Sequence, residues 1–276
     1  MQEIKLFLTD LDGTLLQDDH ATVSDRTRRA LSALKRQGVC LCACTGRVRC
    51  VLPPAVEELG FDYAITSNGA ACDDLRTGKR VFAAYMPAER ARAAWEYLAP
   101  TGCLTEWYVQ GDILMDSANH AEWPGRLKAP WHRKYLGAGN GIVVDNIHDF
   151  FRRGAPGLEK ISIFDCPADI GSRAIEPMLA TGKYEISTSL GINFEITDIS
   201  ANKGNALEKL CAHLRISPEQ AIAFGDGSND VTLLTAAGIG VAMDNATLLV
   251  KRRAAAVTDA NMQDGVARYL ETHVLA

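Results

Sequence analysis

Apolar runs alternating with helix-patterned segments, at both ends of the chain, constrain the fold more than any other feature of this sequence. Residues 4–9, 39–44 and 63–67 read as buried strands. Between the first two, Ser24 suits the N-cap of a helix reaching about residue 37, with Leu31 and Leu34 on its apolar side and Gly38 as its stop. A shorter helix is expected over 53–59. From Lys203 the rhythm returns: a helix over 203–214, a Ser217-Pro218 start with Gln220 three residues on, a strand over 221–225 and a helix over about 229–236. Short units over 240–243 and 255–257 lead to a last helix near 263–272. Strands separated by helices predict parallel β-α-β units, and so an α/β, doubly wound, Rossmann-like core.

The middle of the chain breaks this pattern near residue 84. A helix is expected over 87–99, then a strand pair over 104–109 and 113–116 that turns at Gln110-Gly111-Asp112. Residues 117–156 are rich in Gly, Pro, Trp and His and give no clear periodicity. A strand is expected over 159–164 and a helix over 168–180, which Pro177 opposes. A hairpin over 184–189 and 192–197 turns at Leu190-Gly191. The expected organisation is a core (1–83), an inserted α+β domain with antiparallel strands (84–190) and a second core segment (191–276).

Composition narrows the partners. Of 276 residues, 47% are hydrophobic and 23% charged, enough for an ordinary globular core. A net charge of −5 gives no general attraction to nucleic acid, so an anionic ligand needs positive potential made locally. The N-terminus lacks the basic segment and small-residue cleavage site of a signal peptide. No stretch approaches the roughly 18 apolar residues of a membrane span, which makes the cytoplasm the expectation. Cys40, Cys42 and Cys44 alternate, which on a strand puts them on one face. With no CxxC pair and no nearby histidine they read as buried small apolar residues in a reducing compartment.

Four polar clusters share one placement, after an apolar strand or at a helix start. In a parallel sheet the C-terminal strand ends converge on a ligand crevice. Asp10-Leu11-Asp12-Gly13-Thr14 is either a turn or a pair of carboxylates facing one crevice. In the second case one acid attacks phosphorus and the other handles protons, with a divalent cation relieving their repulsion. Thr45-Gly46-Arg47 offers a hydroxyl, backbone N–H groups and a guanidinium for phosphate oxygens, or is a solvated loop. Lys203-Gly204 places an ammonium at a helix N-terminus, where the dipole is already positive, or is a surface lysine. Gly225-Asp226-Gly227-Ser228-Asn229-Asp230 carries hard oxygen donors suited to magnesium, or is a plain turn.

Together these clusters resemble the haloacid dehalogenase-like phosphohydrolases, in their Cof-type branch with a large cap inserted after the third strand. DxDGT matches Asp10 to Thr14, the second motif Thr45, the third Lys203 within NKGNAL, and GDxxND the run Gly225 to Asp230. Ser67 to Ala70 (SNGA) and Val241 to Ala246 (VAMDNA) look like branch features. The resemblance implies a phosphatase that hydrolyses a small phosphate monoester, its substrate being a small phosphorylated metabolite such as a sugar phosphate or a phosphorylated cofactor. Asp10 would be the nucleophile forming an aspartyl-phosphate, and Asp12 the acid and base. Thr45, Gly46, Arg47, Asn68, Lys203 and Asn229 would bind phosphate or substrate. Mg2+ would be held by Asp10, Asp12 (through its backbone carbonyl) and Asp226, with Asp230 behind them. Two departures are Leu233-Leu234, where a methionine is common, and Asp244 in the glycine position of MGNA.

The inserted domain is implied to close over the site and select the leaving group. Trp95, Trp107, Tyr108, Trp123 and Trp131 fit either a ring-lined pocket or core, and Trp95 reads as core. His120 and His132 carry no assignment. Two other readings stand beside hydrolysis: a mutase passing phosphate to another hydroxyl, and a non-enzymatic phospho-ligand sensor.

Overall fold

The computed structural model describes residues 3–126, 141–154, 157–189 and 193–275. Two compact units emerge: Met1–Arg47, Leu52–Ala83 and Asn202–Ala276 form one, and Val48–Val51 with Ala84–Ala201 the other. Among the described residues no helix is long and apolar enough to cross a membrane.

The first unit is built on a sheet of β1 (Leu6–Thr9), β2 (Cys40–Cys44), β3 (Tyr63–Thr66), β4 (Ala71–Asp74), β5 (Arg80–Ala83), β12 (Ala221–Gly225), β13 (Ile239–Ala242) and β14 (Ala256–Val257). Their order is β14-β13-β12-β1-β2-β3-β4-β5. All pairings from β14 to β3 are parallel, whereas β3-β4 and β4-β5 are antiparallel. The doubly wound core is therefore as expected, with an antiparallel edge that periodicity did not reveal.

Alternation along the strands explains why both faces are covered. Phe7, Leu41, Phe224 and Val241 pack with Leu31 and Leu34 of helix Asp25–Arg36 and Val266 and Leu270 of helix Gly265–His273. Leu6, Leu8, Cys42 and Cys44 point the other way. They meet Leu207 and Leu210 of helix Lys203–Leu214 and Leu233 of helix Val231–Ala236. Cys42, Cys44 and Cys72 are buried in this layer, and burial raises their thiols above the usual range. Ser24 caps its helix as read, accepting from the Thr27 amide.

The second unit holds β6 (Leu104–Val109), β7 (Asp112–Asp116), β8 (Ile142–Val144), β9 (Leu158–Phe164), β10 (Tyr184–Ser189) and β11 (Asn193–Asp198), in the order β10-β11-β9-β6-β7-β8. All its pairings are antiparallel except β7-β8. Trp107, Ile161, Ile163 and Ile196 pack on helices Ala88–Leu98 and Ile147–Arg152. Trp107 and Trp123 are buried, so both are core, while Trp95 packs at the edge of the core against His148. His120 is exposed; Trp131, His132 and the turn at Leu190-Gly191 lie outside the described residues.

Two expectations need correction. The core was expected to resume at residue 191, but β11 pairs with β10 on one side and β9 on the other, so the second unit runs on to Ala201. The expected helix over 168–180 is a wide helical turn, Gly171–Ile175, followed by helix Glu176–Ala180, with Pro177 near the start of the latter. Proline has no N–H to continue the helical ladder and settles instead in a first turn. The strand correction yields a test by native-state hydrogen exchange. The Phe194 and Ile196 amides should lose protection together with those of β9 as denaturant rises, not with those of β12.

Candidate functional site

Asp10 leaves β1 extended at φ −65°, ψ 165°; a single helical turn begins at Leu11 and is broken by Asp12, extended at φ −75°, ψ 124°. Gly13 then turns left-handed at φ +75°. A Cβ on Gly13 would lie 2.4 Å from an Asp226 carboxylate oxygen, so glycine is required twice over. Thr14 Oγ1 donates to Asp226 Oδ1 at 2.6 Å, tying the end of β1 to the end of β12.

Lys203 is the centre of the arrangement. Its Nζ donates to Asp10 Oδ1 at 2.8 Å and to Asp230 Oδ1 at 2.6 Å, and its side chain is fully buried. The lysine is a core residue, not a surface one. Burial alone would lower it, but Asp10 and Asp230 override burial and raise it, so it stays an ammonium. Burial raises Asp10 well above the usual carboxylate range, with Asp230, Asp226 and Asp12 adding to burial and Lys203 opposing it. Burial and then Asp230 push Asp226 up to about 6.

Asp230 acts as a clasp. Its Oδ2 accepts from the amides of Asp226 (2.9 Å) and Gly227 (2.8 Å) while Oδ1 takes Lys203. It therefore shapes the loop that presents Asp226. Carboxylate oxygens of Asp10, Asp226 and Asp230 lie within 4.8 Å of one another. These donors are hard, and their negative charge exceeds what Lys203 balances, which fits a small divalent cation.

Asp12 belongs to a different group. Its carboxylate accepts from Arg47 Nε (2.8 Å, Oδ2) and Nη2 (2.7 Å, Oδ1), and His20 Nδ1 lies 2.8 Å from Oδ1. Burial opposes ionisation here, yet the His20 and Arg47 hydrogen bonds prevail and hold Asp12 below the usual range. With the side chain so engaged, the Asp12 carboxylate is not among the clustered carboxylates of Asp10, Asp226 and Asp230. Thr45 is buried, and its Oγ1 accepts from the Arg47 amide at 3.1 Å, fixing the turn that carries Gly46 and Arg47.

Asn68 (φ +56°) accepts from Asn229 Nδ2 at 2.9 Å, joining the SNGA loop to the GDxxND loop. Gly69 follows at φ +100°, where a Cβ would lie 2.3 Å from the Asn202 carbonyl oxygen, immediately before Lys203. Asn202 caps the Lys203 helix by accepting from the Asn205 amide at 2.8 Å.

Sequence reasoning gave no role to His20, Thr14 or Asn245. Asn245 Nδ2 donates to the Gly13 carbonyl at 2.8 Å, which gives the VAMDNA segment a local purpose. Its position in that motif was the one available signal. Asp244, the departure from MGNA, points outward and pairs with Lys251 at 2.7 Å.

Comparison with known proteins agrees with this geometry. A model of the haloacid dehalogenase-like hydrolases matches residues 7–270. The chain belongs to this family. Within it the chain falls in the Cof-type branch and is a phosphoric monoester hydrolase. It is 28% identical over 277 residues to the Bacillus subtilis 5-amino-6-(5-phospho-D-ribitylamino)uracil phosphatase YcsE, covering 99% of this chain and 97% of the relative. It is 30% identical over 271 residues to a phosphoglycolate phosphatase of Methanopyrus kandleri, covering 96% and 95%. A solved haloacid dehalogenase-like hydrolase of B. subtilis superposes with a TM-score of 0.84 at 27% identity, covering 98% of this chain and all (100%) of that one. These relatives argue against the non-enzymatic sensor reading.

The buried ammonium makes a stability prediction. Lys203→Met leaves Asp10 and Asp230 buried without their counter-charge and should cost about 3–5 kcal/mol at pH 7. Asp10 is already raised, and losing Lys203 raises it further. A group with a raised carboxylate pKa takes up a proton on folding, so the deficit should shrink as pH falls toward 5 and grow toward 8. Urea titrations of the variant and the parent at three pH values measure it.

Proposed function

We propose that the protein is a magnesium-dependent phosphatase that hydrolyses a small phosphorylated metabolite through an aspartyl-phosphate on Asp10. The observation that carries this reading is the buried Lys203 bridge between Asp10 and Asp230, with Asp226 alongside. It supports the reading because an Asp10 carboxylate, a fixed ammonium and further hard oxygen donors share one cluster.

In this reading an Asp10 carboxylate oxygen attacks phosphorus while the bond to the leaving oxygen breaks. Asp12 gives that oxygen its proton, so an alcohol departs. Water then attacks the phosphorus of the aspartyl-phosphate, Asp12 takes the water's proton, and the Asp10 oxygen–phosphorus bond breaks to release inorganic phosphate. Lys203, Thr45, Gly46 and Arg47 hold phosphoryl oxygens, and Asn68 and Asn229 fix the loops on either side. The Asp10 and Asp226 carboxylates and the Asp12 carbonyl would hold Mg2+, with Asp230 behind them. When bound, the ion neutralises charge on the phosphoryl group and on the carboxylates that face it.

Arg47 clasps Asp12 and, with His20, holds its carboxyl below the usual range. A substrate phosphate is a competing partner for that guanidinium. Engaging it removes the Arg47 hydrogen bonds that favour the carboxylate, so Asp12 can take up a proton from water and deliver it in the first step, which makes the acid role depend on substrate.

The inserted unit is read as the cap that selects the leaving group. Relatives named for a ribityl phosphate and for phosphoglycolate support a small phosphorylated metabolite as the substrate class. A mutase would keep the Asp10 chemistry but return phosphate to a sugar hydroxyl. Release of inorganic phosphate without any acceptor distinguishes the two.

Two experiments test the reading. Across a panel of sugar phosphates, nucleotides, flavin mononucleotide and pyridoxal phosphate, turnover should require Mg2+ and vanish in Asp10→Asn with the fold intact by circular dichroism; an active Asp10→Asn protein removes the nucleophile assignment. Separately, Mg2+ at a hundred times its Kd should stabilise the substrate-free protein by about 2.7 kcal/mol, read as a rise in Tm. The rise should be smaller in Asp226→Asn and should weaken below pH 6, because Asp226, raised to about 6, must lose its proton to bind.

A further inference from the structure

One surface turn presents two groups to the Asp12–Arg47 pair. Its closing hydrogen bonds run from the Gln17 amide to the Thr22 carbonyl and from the His20 amide to the Gln17 carbonyl, both 2.9 Å. Asp19 locks it: Oδ1 accepts from the amides of Ala21 and Thr22 at 2.9 Å each, and Oδ2 from Thr22 Oγ1 at 2.7 Å. Held in this way, His20 adopts φ +57°, a left-handed conformation that glycine or asparagine accepts more readily. From that position its Nδ1 lies 2.8 Å from Asp12 Oδ1 and its carbonyl accepts from Arg47 Nη2 at 2.8 Å. The turn thus carries an unfavourable residue whose imidazole meets the carboxylate assigned to proton transfer.

We propose that His20 is a positioning residue for Asp12, fixing the carboxyl rotamer from which the leaving oxygen receives its proton. This rests on the reading of Asp12 as acid and base. Arg47 holds both Asp12 oxygens and is itself assigned to the phosphate. Once Arg47 turns to that anion, His20 is the side chain left on Asp12 among those that hold its carboxylate here. A carboxyl with no other hold would sample several rotamers, and proton delivery would slow by the fraction of time it points elsewhere. Backbone hydrogen bonds hold the turn, so the imidazole can be removed without removing the loop.

The test uses leaving groups of different basicity. An alkyl phosphate needs a proton on its departing oxygen, whereas p-nitrophenolate departs without one. His20→Gly suits the left-handed φ and removes only the side chain, and His20→Asn suits that φ while restoring a hydrogen-bonding group. kcat/KM reports the first phosphoryl transfer and is blind to breakdown of the aspartyl-phosphate. For an alkyl phosphate, His20→Gly should lower kcat/KM on the order of 10-fold and Asp12→Asn about 100-fold or more. For p-nitrophenyl phosphate both should fall far less. His20→Asn should recover most of the alkyl phosphate rate, with circular dichroism and Tm matching the parent. Equal losses of His20→Gly on both substrates would show a structural role and overturn the proposal, as would an unchanged alkyl phosphate rate. If Asp12→Asn itself shows no preference between leaving groups, the acid reading of Asp12 falls and His20 falls with it. If Asp12→Asn discriminates and His20→Gly does not, the His20 proposal alone is wrong.

Discussion

A lysine buried among carboxylates is the interaction on which the rest of this site depends. Lys203 reaches Asp10 at the end of β1 and Asp230 beyond β12, so one ammonium ties together strands that are neighbours in space but some two hundred residues apart in sequence. Burying such a charge is costly unless it is well paired, and here two carboxylates pair it. The same contacts fix the Asp10 carboxylate and, through Asp230, the loop bearing Asp226. Stability and chemistry are carried by one set of hydrogen bonds.

Asp10 and Asp12 are two residues apart and have opposite environments. Asp10 is raised by burial among other acids, whereas Asp12 is held ionised by Arg47 and His20 despite its burial. Separated environments for neighbouring carboxyls are the physical basis for dividing labour between them. The divider is local backbone shape. Asp10 and Asp12 are extended on either side of Leu11, and the chain turns left-handed at Gly13, where glycine tolerates both that turn and the approach of Asp226.

Much of the core was legible because periodicity and capping report directly on burial. The helix Lys203–Leu214 and strand Ala221–Gly225 stand at the bounds read from the chain, and Ser24 and Pro218 mark the starts expected of them. The edge strands β4 and β5 were missed. Each is four residues long, and Asp73, Asp74 and Arg80 mask any apolar alternation. Arg80 Nε donates to Asp73 Oδ1 at 2.6 Å, a pairing with no counterpart in a hydropathy pattern. The end of the inserted unit was misplaced for a related reason. An alternating strand such as β11 looks the same whichever sheet it joins, and only hydrogen-bonding partners assign it.

The sequence alone determined the order and type of the core elements, and it determined that four polar clusters stand at strand ends and helix starts. Those properties are local, set by side-chain period, caps and turn residues. Tertiary structure decided which clusters share charge. Lys203 could have lain on the surface, Arg47 in solvent and His20 in an idle loop. The parallel order β12-β1-β2 brought Asp226, Asp10 and Thr45 to one edge of the sheet, and burial there made the ammonium and the carboxylates depend on one another. Charge pairing across such distances follows from strand order and desolvation, neither of which is encoded at any single position of the chain.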